Sequence, residues 1–298
     1  MRKVIGIGEI ILDVIFKNKV PEKAVPGGST FNCMVSLGRR NLPVCFISEL
    51  GNDMVGNLIK DFMRENNIQS EYVAIYEDGN SPISLAFLDE NNNADYQFYR
   101  DFPEERLSIG FPEIKADDVL VMGSYFAVNP ELRKYVSRLV STAKKQNAIV
   151  YYDINFRKAH ARERQELFPY FTENFRQSTI VRCSEEDLEV LFPGESFEEI
   201  YQNRIAPVCP NFIVTQGEES ILLQTRFLKK EYPVEQVTPV STIGAGDNFN
   251  AGLIYGLMEE NITSDNLACL PETQWDKLIL SGMKFATEVC LSMDNYVR

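Results

Sequence analysis

The chain has 298 residues, with 30 lysines and arginines against 43 aspartates and glutamates, so its formal net charge is −13. Such an acidic surface repels phosphate backbones and anionic lipids, which argues against nucleic-acid and membrane-surface functions. The single histidine, His160, excludes zinc sites of the HExxH type, because these need two. A share of 44% hydrophobic and 24% charged residues is typical of a globular enzyme.

The cysteines and the first residues indicate the compartment. None of the six cysteines belongs to a CxxC pair, so we expect small buried side chains in a reducing environment. The N-terminal apolar run breaks at Glu9 and Asp13, too early for a signal peptide. No run of 18 apolar residues is present. We therefore expect a cytoplasmic protein that does not span a membrane.

The first third of the chain alternates strand and helix patterns. Strands are predicted over Lys3–Gly8 and Val44–Leu50, and helices over Ser29–Arg39 and from Val55 to Met63. Ser29 or Thr30 is the expected N-cap of the first helix. The second has apolar residues at i, i+3, i+4, i+7 and i+8, which is typical of an amphipathic helix.

A hairpin pattern interrupts the alternation in the middle of the chain. Ile83–Asp101 contains two β-prone arms around the polar residues 90–93, which predicts two antiparallel strands. Within a parallel α/β pattern, such a hairpin must either extend a sheet edge or form a separate flap.

The alternation resumes after this hairpin. Strands are predicted over Val119–Met122, Ala148–Asp153, Thr179–Arg182 and Phe212–Thr215, with a further hairpin at Ile221–Thr225 and Phe227–Val234. Helices are predicted over Pro130–Gln146, Glu163–Phe175, Gly246 to about Glu259, and Thr273 to about Ser292. The pattern predicts an α/β fold with a doubly wound, mostly parallel sheet flanked by helices.

A glycine-rich segment begins the helix at Gly246. Gly244, Ala245 and Gly246 allow backbone N–H groups to approach a ligand closely at a helix N-terminus, where anions are favoured. Asp247, in the first turn, would accept the proton of a hydroxyl that attacks a phosphoryl group held there. On this spacing alone, a simple helix cap that packs closely explains the residues about as well.

Two motifs make the resemblance specific. Gly244–Asp247 resembles the GAGD signature of the ribokinase-like (PfkB) family of sugar kinases, and Gly27-Gly28 followed by Asn32 resembles its second signature. The resemblance covers essentially the whole chain. It implies an ATP-dependent sugar kinase, a single unit over residues 1–298, and a small β-sheet lid built from about residues 10–20 and 83–101.

The resemblance also implies residues that bind the sugar. Asp13 matches the family's aspartate for sugar hydroxyls, and Gly28 and Asn32 line the same pocket. Arg100 belongs to an FYR run and Arg157 to a DxNxR stretch, both similar to those of fructokinases and 2-keto-3-deoxygluconate kinases. Arg100 would hold a sugar oxygen or a carboxylate, and Arg157 would reach the substrate or the ATP phosphates. An exposed strand arginine is the commoner case for Arg100.

Further matches imply the nucleotide and metal sites. The expected nucleotide-binding residues are Ser184, Thr215, Gly217 and Thr287. Asp187 and Glu186 stand where the family has an NxxE motif that organises Mg²⁺ through water, although acids on a solvated helix face are a fair alternative. Ser241 replaces an aspartate of the family's loop that commonly holds a monovalent cation, which makes that cation doubtful.

The expected function is transfer of the γ-phosphate of ATP to a primary hydroxyl of a monosaccharide, with fructose as the first choice. A 2-keto-3-deoxygluconate or related sugar-acid kinase is the alternative. A catalytically silent sugar-binding regulatory protein is the hypothesis from another class, motivated by Ser184, Ser220 and Ser241. The resemblance also favours a homodimer through the lid.

Overall fold

The computed structural model describes residues 2–88 and 94–298. Its described residues form a ten-stranded main sheet and a separate four-stranded sheet. The main sheet has the order β14-β13-β12-β11-β10-β9-β1-β4-β5, with β6 paired to β4. The fold-class prediction of a mostly parallel sheet flanked by helices, with a small separate sheet, is therefore confirmed.

The parallel strands of the main sheet are short and mostly apolar, which suits a sheet with helices on both faces. In chain order, the ten strands of this sheet are β1 (Val4–Ile7), β4 (Val44–Gly51), β5 (Ile68–Gln69), β6 (Val73–Tyr76), β9 (Val119–Gly123), β10 (Ile149–Asp153), β11 (Ile180–Ser184), β12 (Asn211–Gln216), β13 (Ser220–Gln224) and β14 (Lys229–Pro233). Pairing is parallel from β12 through β11, β10, β9 and β1 to β4, and antiparallel at β12–β13 and β13–β14.

The helices pack on the two faces of this sheet and close two apolar cores. They are α1 (Ser29–Arg39), α2 (Met54–Glu65), α3 (Arg133–Lys145), α4 (Arg164–Gln177), α5 (Glu185–Leu191), α6 (Phe197–Ile200), α7 (Ala245–Glu259), α8 (Ser264–Leu267) and α9 (Glu272–Cys290). Helices α7 and α9 approach each other so closely that a Cβ on Gly252 would lie 2.3 Å from the carbonyl oxygen of Ser281. No described helix combines the length and the apolar character needed to cross a membrane.

The small sheet is the expected lid. Its order is β3-β2-β7-β8, formed by β2 (Ile11–Lys17), β3 (Val20–Gly27), β7 (Asn80–Leu88) and β8 (Ala94–Asp101). The hairpin prediction at Ile83–Asp101 is confirmed by the antiparallel pairing of β7 with β8, while its predicted turn at residues 90–93 lies outside the described residues. The hairpin thus belongs to a separate flap.

Strand β3 extends the lid beyond the predicted limit at about residue 20. Its sequence contains Pro21 and Pro26, which are unfavourable in a central strand, so the pattern gave no strand signal. In the structure β3 is an edge strand, where a missing N–H costs no ladder hydrogen bond. The lid prediction was therefore too short at this end.

The N-cap prediction for α1 was wrong. The cap is Gly28, with φ 129°, and no side-chain hydrogen bond caps this helix. A Cβ at this position would lie 2.3 Å from the carbonyl oxygen of Glu9. The second glycine of the Gly27-Gly28 pair is thus required by the backbone itself, since the chain turns from the lid into α1 against the β1–β2 connection.

Candidate active site

The candidate site lies at one edge of the main sheet. Strands β1, β4 and β9 to β12 run parallel, so their carboxyl ends meet at the same edge, where ligands bind in open α/β folds. The DxNxR stretch that begins at Asp153 follows β10 at this edge, and Ser184 ends β11. Asp13 lies on lid strand β2, which connects to this edge through the loop after β1.

The first turn of α7 is held in an unusual conformation. Its N-cap, Gly244, has φ 80° in the left-handed region, and a Cβ there would lie 2.9 Å from the carbonyl oxygen of Asn295. The side-chain amide of Asn248 donates to the carbonyl oxygens of both Gly244 and Asn295, at 2.8 Å each. Residue 244 must therefore be glycine for α7 to begin where it does.

This turn leaves backbone donors for an anion. N–H groups in the first turn of a helix have no partner within the helix. The N–H of Ala245 donates to the carbonyl oxygen of Thr242 at 3.2 Å, so it already has an acceptor. The amides of Gly246 and Asp247 are the remaining first-turn donors, and the positive end of the helix dipole adds to their attraction for negative charge.

Asp247 lies in the first turn of α7 and contacts α1. Its Oδ2 accepts a hydrogen bond from Nδ2 of Asn32 at 2.8 Å. Asn32 is 6% exposed, and its Oδ1 is buried without a hydrogen-bond partner among the described residues. An orphaned acceptor beside a carboxylate is a place where a ligand hydroxyl would donate.

The surroundings of Asp247 suit a proton acceptor. Burial raises the pKa of the Asp247 carboxyl above its ordinary value, while hydrogen bonds from Asn32 and Ser29 and the charges of Arg157 and Arg182 oppose that rise. In its ionised form, a carboxylate with a raised pKa is a stronger base than a fully solvated one.

Asp13 points from the lid toward the same space. Its Oδ1 accepts a hydrogen bond from the hydroxyl of Ser84 on β7. A Cβ on Gly27 would lie 2.3 Å from Oδ2 of Asp13, so the first glycine of the pair leaves room for this carboxylate. Burial raises the pKa of Asp13 to about 6, against the lowering effects of Ser84 and Arg157.

The two candidate arginines differ in their partners. The charge of Arg157 acts on both Asp13 and Asp247, and its guanidinium carbon lies 5.9 Å from the ring centroid of Tyr96. Arg100 forms a bidentate ion pair with Glu9, in which Nη2 donates to Oε2 at 2.8 Å. Arg157 therefore faces the site, whereas Arg100 connects β8 of the lid to the loop after β1.

The two acids expected at the metal site, Asp187 and Glu186, differ in their hydrogen bonds and exposure. Asp187 and Ser184 form a capping box at the start of α5, and Oδ1 of Asp187 also accepts from the N–H of Phe156 at 2.7 Å. Both carboxylate oxygens of Asp187 are thus engaged with protein groups, whereas Glu186 is exposed. Within residues 2–88 and 94–298, no group of three His, Cys, Asp or Glu side chains gathers to hold a metal ion.

The expected nucleotide residues lie on three elements. Thr215, near the end of β12, accepts a 2.6 Å hydrogen bond from Nη2 of Arg182. Gly217 has φ 54° in the β12–β13 turn, where a Cβ would meet nothing within 4 Å. Thr287 is half-buried on α9, the helix that packs on α7.

A buried polar network behind α7 was missed by the sequence analysis. Arg182 pairs with Asp153 at 3.0 Å, and Oδ2 of Asp153 accepts from Nδ2 of Asn250 at 2.8 Å. Burial raises the pKa of Asp153 to about 6, although Arg182 opposes this. The only signal in the sequence was one arginine inside the otherwise apolar run Ile180–Cys183.

The C-terminal residues were also missed. Val297 is fully buried, and its N–H donates to the hydroxyl of Ser36, which in turn donates to Oδ1 of Asn248. The hydroxyl of Tyr296 donates to the carbonyl oxygen of Pro26. This segment links α1, α7 and the end of β3, and no motif in the sequence indicated it.

Solved structures with this architecture are ribokinase-like kinases, and the chain shares their fold. A fructokinase from Xylella fastidiosa, solved with bound ATP, superposes with a TM-score of 0.83 at 18% identity, covering 98% of this chain and 93% of that one. An aminoimidazole riboside kinase from Salmonella enterica, solved with aminoimidazole riboside and an ATP analogue, gives 0.80 at 19% identity, covering 99% and 95%.

Sequence comparison identifies the family. A model of the pfkB family carbohydrate kinases matches residues 1–290, so the chain belongs to this family. A fructokinase from Rhizobium leguminosarum bv. trifolii is 26% identical over 275 residues, which cover 89% of this chain and 83% of that protein. The protein is therefore a carbohydrate kinase, a phosphotransferase with an alcohol group as acceptor.

The left-handed start of α7 leads to a first prediction. Gly244→Ala is expected to lower kcat at least tenfold, because the new Cβ meets the carbonyl oxygen of Asn295 and displaces the first-turn amides. Gly194→Ala is the matched control, since Gly194 has φ 83° but nothing within 4 Å of its Cβ. Both variants carry the cost of about 1 kcal/mol of a left-handed alanine. Equal kcat in the two variants would show that the conformation of Gly244 does not position the first-turn N–H groups for catalysis.

Proposed function

We propose that the protein transfers the γ-phosphate of ATP to a primary hydroxyl of a monosaccharide, with fructose as the preferred substrate. The observation that carries this proposal is the contact of Asp247 with Asn32 beside the first-turn amides of α7. It combines a proton acceptor, a polar group for a hydroxyl and donors for a phosphoryl group in one place. The curated relatives that the chain matches include fructokinases, which supports fructose.

The proposed reaction needs few groups from the protein. The sugar hydroxyl forms a bond to the γ-phosphorus while the bond from that phosphorus to the bridging oxygen breaks, and ADP leaves with the bond electrons. Asp247 takes the hydroxyl proton. The amides of Gly246 and Asp247 stabilise charge on the transferring group, and Gly244 and Ala245 shape the turn that presents them. Asp13, Gly28 and Asn32 hold the sugar in place for attack.

The nucleotide is proposed to bind along the carboxyl ends of β11 and β12. Ser184, Thr215 and Gly217 border this region, and Thr287 on α9 is proposed to flank the base. Mg²⁺ would neutralise charge on the phosphate oxygens. Direct ligation by Asp187 does not fit its contacts, so we propose that Glu186 reaches the ion through water. Ser241 supplies no carboxylate for a monovalent cation.

A sugar-acid substrate is the second candidate. The positive charge of Arg157 acts on both Asp13 and Asp247. A carboxylate on the substrate would pair with this arginine. Arg100 contributes less to such a site because Glu9 already neutralises it in a bidentate pair. One arginine among several acids fits a neutral sugar better, and this supports fructose over a sugar acid.

The test is release of ADP across a panel of neutral sugars, sugar acids and ribosides. We expect the highest kcat/KM with fructose. A strict requirement for a carboxylate would favour the sugar-acid kinase, and sugar binding without ADP release would indicate a silent sugar-binding protein.

Asp247→Asn is expected to lower kcat about 10²- to 10⁴-fold with little change in sugar affinity, because the proton acceptor is lost. Asp61→Asn, on the exposed face of α2, is the control. Near wild-type turnover by Asp247→Asn would refute the assignment of the base.

The pKa of Asp13, about 6, predicts a pH dependence of sugar binding. Above this pH the carboxylate is ionised and accepts hydrogen bonds from sugar hydroxyls. As the pH falls through about 6 the group is protonated and loses acceptor capacity, so KM for the sugar should rise. Asp13→Asn should show a high KM that is nearly constant with pH. Measurement of KM between about pH 5 and 8 checks this, and a constant wild-type KM would contradict it.

We also propose that the lid forms a homodimer. Side chains alternate along β2 and β7, so Asp13 and Ser84 share one face while Val14, Leu85 and Phe87 share the other. Phe87 is 39% exposed and Tyr99, opposite Ile83, is 50% exposed. An apolar outer face of this kind requires cover, and a second copy would supply the same face.

Solution mass tests the dimer. We expect twice the 34.0 kDa of one chain for the wild type, and the mass of one chain for Phe87→Asp. The control is Phe227→Asp, because Phe227 is 73% exposed in the β13–β14 connection, away from the lid. A wild-type mass of one chain at micromolar concentration would refute the proposal.

A further inference from the structure

A buried arginine on β11 lies directly against the start of α7. The side chain of Arg182 is 5% exposed. A Cβ on Gly246 would lie 3.0 Å from Nη2 and 3.3 Å from Nη1 of this arginine. A side chain at residue 246 would therefore press against the guanidinium, and a full positive charge packs against the turn that carries the first-turn amides.

Groups from several elements hold this guanidinium. Its Nη1 donates to Oδ1 of Asp153 at 3.0 Å and its Nη2 donates to Oγ1 of Thr215 at 2.6 Å. The guanidinium carbon lies 5.8 Å from the ring centroid of Phe249 on α7. Asn250, also on α7, donates to the other oxygen of Asp153. The arginine thus connects β10, β11 and β12 to the first two turns of α7.

Apart from the chain on either side of Gly246, the nearest charged group is the guanidinium of Arg182, which supplies the three atoms closest to a Cβ on this glycine. Asp153 shares its carboxylate between Arg182 and the amide of Asn250. Because Coulomb energy falls with distance and is least screened in the interior, this guanidinium contributes positive potential at the turn.

We propose that Arg182 is a positioning residue for phosphoryl transfer, which holds Gly246 in place and supplies fixed positive charge behind the first-turn amides. The inference rests on the proposed function. Negative charge on the transferring phosphoryl group would be stabilised by the aligned amides and by the guanidinium behind them, without either group having to move. The nucleotide itself does not touch Arg182 in this proposal, so its binding should depend on the arginine only weakly.

The test compares Arg182→Met with a matched variant. Arg182→Met removes the charge and keeps an unbranched side chain. Arg133→Met is the control, because Arg133 is likewise buried and bonded to Asn174 and Glu173, but on the α3–α4 side of the sheet. We expect a decrease in kcat of about 10²-fold for Arg182→Met, with KM for ATP within about threefold of the wild type. Arg133→Met should lower only the melting temperature.

Two further variants test the proposal in case Arg182→Met is too unstable to assay. This substitution leaves Asp153 buried without its cation, so Arg182→Met with Asp153→Asn removes both charges together. We expect the double variant to fold and to keep the low kcat. Arg182→Lys keeps a charge without the planar fork, and we expect a decrease of about tenfold. If the double variant regained wild-type kcat, the proposal would be overturned.

Binding of ADP with aluminium fluoride, a mimic of the transferring phosphoryl group, gives a second measurement that needs no turnover. Arg182→Met should weaken this complex about 10²-fold while ADP alone binds within about threefold of the wild type. Equal losses for both ligands would indicate a merely structural arginine and overturn the proposal. An inactive wild-type protein would refute the proposed function, and this titration would still test Arg182.

Discussion

The turn that begins α7 is the constraint on which the active site depends. Gly244 adopts a left-handed conformation there, and Asn248 ties its carbonyl oxygen to that of Asn295. From this turn, α7 is joined to α1 by side-chain hydrogen bonds. Asp247 and Asn248 are adjacent on α7, while their partners Asn32 and Ser36 lie one helical turn apart on α1. The carboxylate and the polar pocket are therefore built as one unit, which is the preorganisation that transfer chemistry requires.

Local electrostatics differ from the charge of the whole chain. A formal net charge of −13 disfavours polyanions at long range, and a carbohydrate kinase must still accommodate a phosphoryl group. Near α7 the sources of positive potential are backbone amides, a helix dipole and buried or facing arginines. These act over a few ångströms inside the protein, where salt and water screen them least. A strongly acidic surface is therefore compatible with anion binding at one point.

Sequence patterns predicted the parts of the fold that are periodic and the parts of the site that are motifs. α1 is found over the predicted range, and β4 and α2 differ from their predicted ranges by one or two residues, because their apolar spacing is regular. Glycine motifs marked both Gly28 and Gly244, since a positive φ has a sequence signature. The capping box of Ser184 and Asp187 is visible in the sequence as well, but its structural meaning was overlooked. Arg182 and Val297 act through long-range contacts, which no local pattern reveals.

The alternation of side chains along lid strand β2 limits which sequence changes this strand can accept. Asp13 and Val14 lie on opposite faces, so the same strand serves the candidate site and the outer face of the lid at once. A shift of one residue in its pairing with β7 would exchange the two faces, turning an apolar side chain into the pocket and a carboxylate to the outside. An inserted or deleted residue would keep both faces in place only with a compensating bulge, such as the register shift at Ile15 and Phe16 in the pairing with β3. A substitution, by contrast, alters one face of the lid and leaves the other unchanged.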